Sequence, residues 1–494
     1  MNDLTLISLA AYFVLMLVIG LYAWRKSTAD SEGYLLAGRN LPPSVAALSA
    51  GASDMSGWLL LGLPGALYTA GLVEAWIGIG LFLGAVANWV LVAPRLREQT
   101  ETFGNALTIP QFLANRFPES GTALRVTSAI IIVAFFTVYT AAGLVGGGKL
   151  FETAFAGILP DLGLSDYMLG ILITAGIVLA YTMIGGFLAV SLTDFVQGLI
   201  MMLALVIMPL VVIFGPGGEA GDSIGRVPVE GFLDITYGLT AIGFISAVTW
   251  GLGYFGQPHI IVRFMAINSL QQVAKARNVG LGWMAVSLIG AIGMGLAGRA
   301  YADRNGIVVQ DPETIFIVLA QLLFHPAITG FLYAALLAAI MSTISSQLLV
   351  SSSSLTEDFY RLFLRRNAGE REAVNVGRIS VALVSVAAII MASNPDSQVL
   401  GLVANAWAGF GAAFGPLILL ALMWHGKSGT GMTGAGAVAG LITGAGVVAI
   451  WIAAGWNKQF LGGPGLYEIV PGFIASMIAI IVVSKASHSK LHHA

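Results

Sequence analysis

Three hydroxyls stand out in the apolar run FLYAALLAAIMSTISSQLLVSSSS. Ser342 and Ser346 are i,i+4 neighbours on one helical face, and Thr343 lies beside them. Neutral hydroxyls are hard oxygen ligands, suited to a sodium ion that must be bound and then released. The same groups can instead bond back to carbonyls one turn earlier or join helices to each other. That second role is expected for Ser351 to Ser354. A different stretch, VAALSAGASDMSGWLLLGLPGALY over 45–68, holds Ser53, Asp54 and Ser56 among glycines, with Pro64 further on. An acid at membrane depth costs at least ~2.5–3.5 kcal/mol and marks an ion or substrate path. The run reads as a broken transmembrane helix whose unwound carbonyls could complete an ion shell offered by Ser342 and Thr343. A third stretch, TAIGFISAVTWGLGYFGQPHI, is loosened by Gly251, Gly253 and Gly256 and ended or kinked by Pro258, which lacks an amide donor. Trp250, Tyr254 and Gln257 supply aromatic faces and polar tips there.

These groups need a scaffold, and composition says which. Of 494 residues 57% are hydrophobic and only 10% charged, with a mean hydropathy of +0.87. Soluble domains carry about 25% charged residues. The chain is therefore an all-α polytopic membrane protein, and its 62 glycines suit helices packed closely in lipid. The absence of cysteine excludes disulfides and thiolate metal sites. The first apolar run has no basic leader or cleavage site and reads as a retained span.

Thirteen spans are expected, near 4–24, 44–68, 73–93, 124–148, 167–187, 189–214, 237–256, 279–301, 327–353, 374–392, 399–424, 431–454 and 468–484. Short connections make residues 1–494 one membrane domain. The broken spans two and seven are five apart and so run in opposite directions. That is the geometry of two inverted five-helix halves meeting at a midplane site, about 44–214 and 237–424 within a core of 44–424. The spans at 4–24, 431–454 and 468–484 are then peripheral. Lys and Arg crowd one set of loops, among them Arg25, Lys26, Arg39, Arg95, Arg97, Arg263, Arg365, Arg366 and Lys427. The other set carries only Lys149, Arg226, Arg299, Arg304 and Lys458. The positive-inside rule places the N-terminus outside and the C-terminus in the cytoplasm of a plasma (inner) membrane. The cytoplasmic pieces TIPQFLANRF and EDFYRLFLRR read as interfacial helices or as solvated loops.

Weaker candidates have ordinary readings. Tyr139, in IIIVAFFTVYTAAG, is a polar tip that either satisfies a carbonyl or touches a substrate. Asp194 follows Ser191 in a capping-box spacing and reads first as a helix-terminal acid. Arg39, in AGRN, either pairs with an acid of the inner vestibule or anchors its helix at the headgroups. Glu74 and Asp222 are expected to face the outer water. No phosphate-binding loop, nucleophile–base pair or paired carboxylates occur, so neither an enzyme nor an ATP-driven pump is expected.

Taken together, SAGASDMSGWLLLGLPGA, GGFLAVSLTD, WGLGYFGQPHI, LAAIMSTISSQLLV and AWAGFGAAFGP resemble the sodium/solute symporter family, and its proline branch in particular. The likeness runs from LAGRN to GLYEIVPGF. It implies the five-plus-five inverted repeat of the leucine-transporter type and sodium-coupled import of L-proline by alternating access, with sodium as coupling ion and no cofactor. It further implies that carbonyls of Ala52, Met55 and Ala339, with the hydroxyls of Ser342 and Thr343, hold the ion, with Asp54 as the neighbouring acid. Proline would rest against Ser56, Trp58, Tyr139, Trp250 and Tyr254. Ser346 stands where similar proline carriers have a cysteine, close to that pocket. The rivals are a sodium-coupled carrier of another small solute and a solute sensor that does not transport.

Overall fold

The computed structural model describes residues 3–26, 31–215, 223–424 and 431–491. Asp222 and Lys427 lie outside them. Ten helices among the described residues are long and apolar enough to cross a membrane, and spans two, five and seven are carried by the shorter apolar helices Trp58–Ala70, Asp166–Ala180 and Ala241–Gly256. Ten and three make the expected thirteen. A further apolar segment, Pro312–Leu323, lies between spans eight and nine, in addition to the thirteen. A two-residue ribbon, Gln459–Phe460 against Gly463–Pro464, joins spans twelve and thirteen.

Spans five and six form one helix, Asp166–Phe214, bent at Gly186. Its φ of 59° and ψ of −160° belong to a region that only glycine adopts without cost. Span two consists of Pro43–Asp54, a break, Trp58–Gly62 in π-form and Leu63–Ala70. Span seven runs as Ala241–Val248, tightens into a 3-10 segment over Thr249–Gly256, and breaks at Gln257 before the helix Pro258–Ala266. Pro43 and Pro258 each occupy the first helical position, where a missing amide costs nothing. A Cβ on Gly253 would lie 1.9 Å from Trp407 Nε1 in span eleven, and one on Gly84 of span three 2.2 Å from the Gly251 carbonyl. Span seven can therefore press against spans three and eleven only while those glycines are kept.

Spans nine (Pro326–Ser353) and eleven (Val399–Met423) are 83% buried over their apolar windows, whereas spans one, ten, twelve and thirteen are 28–33% buried. Span ten (Glu370–Ala392) is as exposed as the peripheral helices. Ile379, Leu383 and Ile390 line its open face, as a lipid-facing stripe requires. TIPQFLANRF forms the helix Ile109–Arg116, capped by the Thr108 hydroxyl. EDFYRLFLRR forms no separate helix: span nine continues through it to Leu364 in π-form.

Candidate functional site

Span two loses its helix just after Asp54. Met55 takes φ −81° and ψ 77°, which swings its carbonyl off the helix axis. Span nine passes this break, and the two helices share hydroxyl bonds. Ser342 Oγ donates to the Ala52 carbonyl at 2.7 Å and lies 3.1 Å from the Ala339 carbonyl. Thr343 Oγ1 lies 3.4 Å from the Ala52 carbonyl and 3.2 Å from that of Ala339. Each hydroxyl thus bonds back within span nine and also reaches across to span two, joining the two helices. Four oxygens from two helices converge in a region that is wholly buried. Hard, neutral oxygens in that number suit an alkali cation and no transition metal, and no cluster of three His, Cys, Asp or Glu occurs among the described residues.

Asp54 takes part differently. Its carboxylate Oδ2 accepts the Tyr254 hydroxyl of span seven, while Oδ1 has no protein partner. Its backbone carbonyl, freed by the break, accepts Trp58 Nε1 at 3.1 Å and the Tyr139 hydroxyl at 3.3 Å. Tyr139 therefore does satisfy a carbonyl, and that carbonyl belongs to the break. Ser56 Oγ accepts the Trp58 amide at 3.5 Å. The structure so brings Ser56, Trp58, Tyr139 and Tyr254 together around residue 54. Trp250 is set one turn further out, stacked on Tyr467 with ring centres 5.1 Å apart. Its carbonyl accepts Trp407 Nε1 at 2.7 Å, and Trp407 stands edge-on to Tyr254 at 5.0 Å.

Ser346, Asp194 and Arg39 lie elsewhere. Ser346 joins a buried ion pair one turn further along the same face of span nine: Arg263 donates to Ser346 Oγ at 2.5 Å and to Asp194 Oδ2 at 3.3 Å. Ser49 of span two donates to the same Asp194 oxygen at 2.7 Å and accepts Arg263 Nε at 3.2 Å. Asp194 is thus no helix cap. The bend falls eight residues earlier at Gly186, so the capping-box spacing sits inside an unbroken helix and the acid is carried into the core. Arg263, taken for a cytoplasmic loop charge, is fully buried. Arg39 is buried too, and neither of its expected roles is observed. Its guanidinium bonds to Asn105 Oδ1, Thr100 Oγ1 and the carbonyls of Met265 and Ala106, pinning the entry to span two against the exit from span seven. Lys149, also taken for a loop charge, ends span four inside a pocket of Asp311 at 2.7 Å and Glu313 at 2.8 Å. Glu313 in turn accepts the first amides of span eleven, Val399 and Leu400.

Trp407, Tyr467, Asn88 and Arg263 belong to this neighbourhood and were missed as site residues. Trp407 stood in the motif AWAGFGAAFGP, and Asn88 is a lone amide in an apolar helix. Arg263 follows an apolar run that reads equally well as a helix end. Tyr467 stood in GLYEIVPGF, at the end of the family likeness.

The geometry is that of a carrier built on two broken helices, and the relatives agree. The profile of the sodium:solute symporter family matches residues 34–444. The chain belongs to this family. A protein of Bacillus subtilis (strain 168) named osmoregulated proline transporter OpuE is 52% identical over 97% of this chain and 94% of its own length. A protein of Staphylococcus aureus (strain JH9) named sodium/proline symporter is 51% identical over 98% and 93%. Among solved structures, a substrate-bound, outward-open sodium-coupled sialic acid symporter superposes with a TM-score of 0.77 at 18% identity over 98% of each chain. A nucleobase-cation-symport-1 family transporter, in a closed conformation with bromovinylhydantoin bound, superposes with a TM-score of 0.55 at 14% identity, over 93% and 94%. The family fold is thus the five-plus-five arrangement of the leucine-transporter type, in a multi-pass membrane protein.

Proposed function

We propose that this symporter imports L-proline together with sodium by alternating access. The observation that carries the proposal is the convergence of the Ser342 and Thr343 hydroxyls on the Ala52 carbonyl across the break of span two. The names of the full-length relatives at 51–52% identity support both the ion and the solute. The two halves are 44–214 and 237–424, each contributing one broken helix.

Sodium at this site is held by the carbonyls of Ala52, Met55 and Ala339 and the hydroxyls of Ser342 and Thr343. To accept it, the two hydroxyls turn their protons away from the carbonyls they bond in its absence. The ion then joins spans two and nine more strongly than those hydrogen bonds do. Proline, a compact zwitterion, enters beside the break, with its ring against Trp58, Tyr139 and the aromatic wall of Trp250 and Tyr254. The same break lets sodium and proline bias one equilibrium, so each tightens the other by the same factor. One positive charge moving inward through 100 mV releases ~2.3 kcal/mol, enough for roughly fifty-fold accumulation since ~1.4 kcal/mol is tenfold. None of these steps makes or breaks a covalent bond, so the protein is a carrier and not an enzyme.

The N-terminus lies outside and the C-terminus in the cytoplasm of the plasma (inner) membrane. Although Arg39, Arg263 and Lys149 are internal, Arg25, Lys26, Arg95, Arg365 and Arg366 still crowd one side. Because the natural chain has no cysteine, single cysteines at Lys458 and Arg366 report sidedness directly: the first should react with an impermeant maleimide in intact cells and the second only after lysis. Replacing Ser342 and Thr343 together by alanine should raise the sodium concentration needed for uptake by at least about a hundredfold, two lost ligands at ~1.4 kcal/mol each. Uptake with an unchanged sodium dependence sinks the assignment of the ion site.

A further inference from the structure

The connection between the peripheral spans twelve and thirteen reaches into the site. Span seven carries Trp250 in its 3-10 segment, Thr249–Gly256, where hydrogen bonds are poorer than in an α-helix. Gly251 and Gly253 beside it have no side chains to buttress the indole. The ring is instead held from outside the segment. Tyr467 stacks on it, with ring centres 5.1 Å apart and planes inclined by 26°, and both side chains are buried. The Tyr467 hydroxyl donates to the Ala404 carbonyl of span eleven at 2.9 Å, and its amide donates to Ser246 Oγ of span seven at 3.1 Å. Ring, hydroxyl and amide tie this one residue to both spans.

The connection is itself braced. Trp451 Nε1 donates to the Leu466 carbonyl at 2.9 Å, and the Leu466 amide donates to the Trp456 carbonyl at 3.1 Å. Gly465 passes so close to Asn457 that a Cβ there would lie 2.0 Å from the Asn457 carbonyl oxygen. Ile469, two residues after Tyr467, wedges in where span eleven crosses span seven: a Cβ on Gly411 would meet Ile469 Cδ1 at 2.7 Å and Gly253 Cα at 2.8 Å. Beyond Trp250 the contacts continue into the solute wall, since its carbonyl holds Trp407 and Trp407 stands edge-on to Tyr254. Close-packed interiors transmit strain rather than absorb it. A braced Tyr467 therefore fixes Trp250, and a fixed ring sets the size of the space beside it.

We propose that Tyr467 is a positioning residue for solute size: by holding the Trp250 indole in place, it closes the pocket around a five-membered ring and excludes larger ones. This role rests on the reading of Trp250 as part of a proline pocket. Spans twelve and thirteen, which lie outside the two five-helix halves, thus take part in selectivity through one side chain. Without that ring a void opens behind Trp250, the indole can retreat into it, and a bulkier imino acid fits.

Labelled proline uptake into proteoliposomes of the full-length protein tests this, with L-pipecolate, the homologue with one more ring methylene, as competitor. One methylene in a fitted apolar pocket is worth roughly ten- to two-hundredfold, so the native protein should prefer proline by at least about tenfold. Tyr467→Phe keeps the stacked ring and should keep that preference. Tyr467→Ala should raise the apparent proline constant about tenfold and cut the preference to about threefold or less, with the maximal rate held within about twofold. Tyr467→Leu, which fills more of the space but offers no plane to stack on, should shift the same way and decides the matter if the alanine variant is poorly made. Trp250→Leu should lose the preference by itself, and adding Tyr467→Ala to it should change nothing further, because the two act as one unit. An unchanged preference in Tyr467→Ala and Tyr467→Leu, with only the maximal rate or the amount of protein falling, overturns the proposal. So does an effect of Tyr467→Ala that is the same with Trp250 present and absent. Failure of the proline reading itself shows separately, as absence of proline uptake by the native protein, and removes the proposed role with it.

Discussion

Replacing Arg263 by methionine gives the sharpest test of how the broken helices are held. Arg263 and Asp194 are both fully buried, 3.3 Å apart, and share Ser49 and Ser346 as partners. Methionine fills the volume of the arginine stem and can keep its contact with the Phe187 ring, over which the guanidinium now lies at 5.2 Å. What it removes is the counter-charge. Asp194 keeps the hydroxyls of Ser49 and Ser346, two neutral bonds, against the cost of an uncompensated buried carboxylate. Breaking such a pair from one side costs about 3–5 kcal/mol, a large part of the 5–15 kcal/mol that is typical of a whole domain. Removing both charges, in Asp194→Asn/Arg263→Met, leaves a neutral amide that still accepts from Ser49. That double variant should therefore be less damaged than the sum of the single ones by at least about 2 kcal/mol. Unfolding in micelles with rising SDS, followed by the fluorescence of the ten tryptophans, yields all four stabilities. Single-variant costs that add within about 0.5 kcal/mol, as independent sites do, refute the reasoning: the pair is then solvated or not formed.

Two further outcomes follow from the same contacts. Tyr254→Phe keeps the edge contact with Trp407 but takes the donor from Asp54 Oδ2. Loss of a hydrogen bond to a charged group, ~1.5–3 kcal/mol, should raise the apparent proline constant roughly ten- to hundredfold in transport kinetics. Glu468, in the connection before span thirteen (Ile469–Leu491), is buried, and burial raises its carboxyl above the ordinary glutamate range. Its protonated form is favoured in the fold, so its contribution is complete below the unfolded-state value and fades as pH climbs through the raised one. Thermal melts of the native protein should fall across that window, and those of Glu468→Gln should not.

Much of the scaffold was legible because lipid leaves few choices. Apolar length fixes spans, and Gly and Pro mark where a helix may open, so the breaks after Asp54 and at Gln257 could be read directly. The hydroxyls of span nine were legible for a related reason: polar groups at that depth need partners, and spacing alone put Ser342 and Thr343 together. Partner choice was not legible. Arg263 and Asp194 are 69 positions apart, and each has a plausible local reading, a loop charge and a helix cap. Only the placing of span six against span two joins them. The lipid exposure of span ten was not legible, because the repeat counts ten helices alike, whereas burial depends on which neighbours surround each. EDFYRLFLRR was misread because an amphipathic piece after a membrane helix has the same pattern whether it turns along the interface or prolongs the helix.

The central claim is sodium-coupled accumulation of proline. Its most direct test is labelled proline uptake into proteoliposomes of the purified protein, with an inward sodium gradient and with sodium equal on both sides at zero potential. The account predicts accumulation above the external concentration in the first case and mere equilibration in the second. Accumulation that is the same with and without the sodium gradient, or no proline uptake in either, would contradict it.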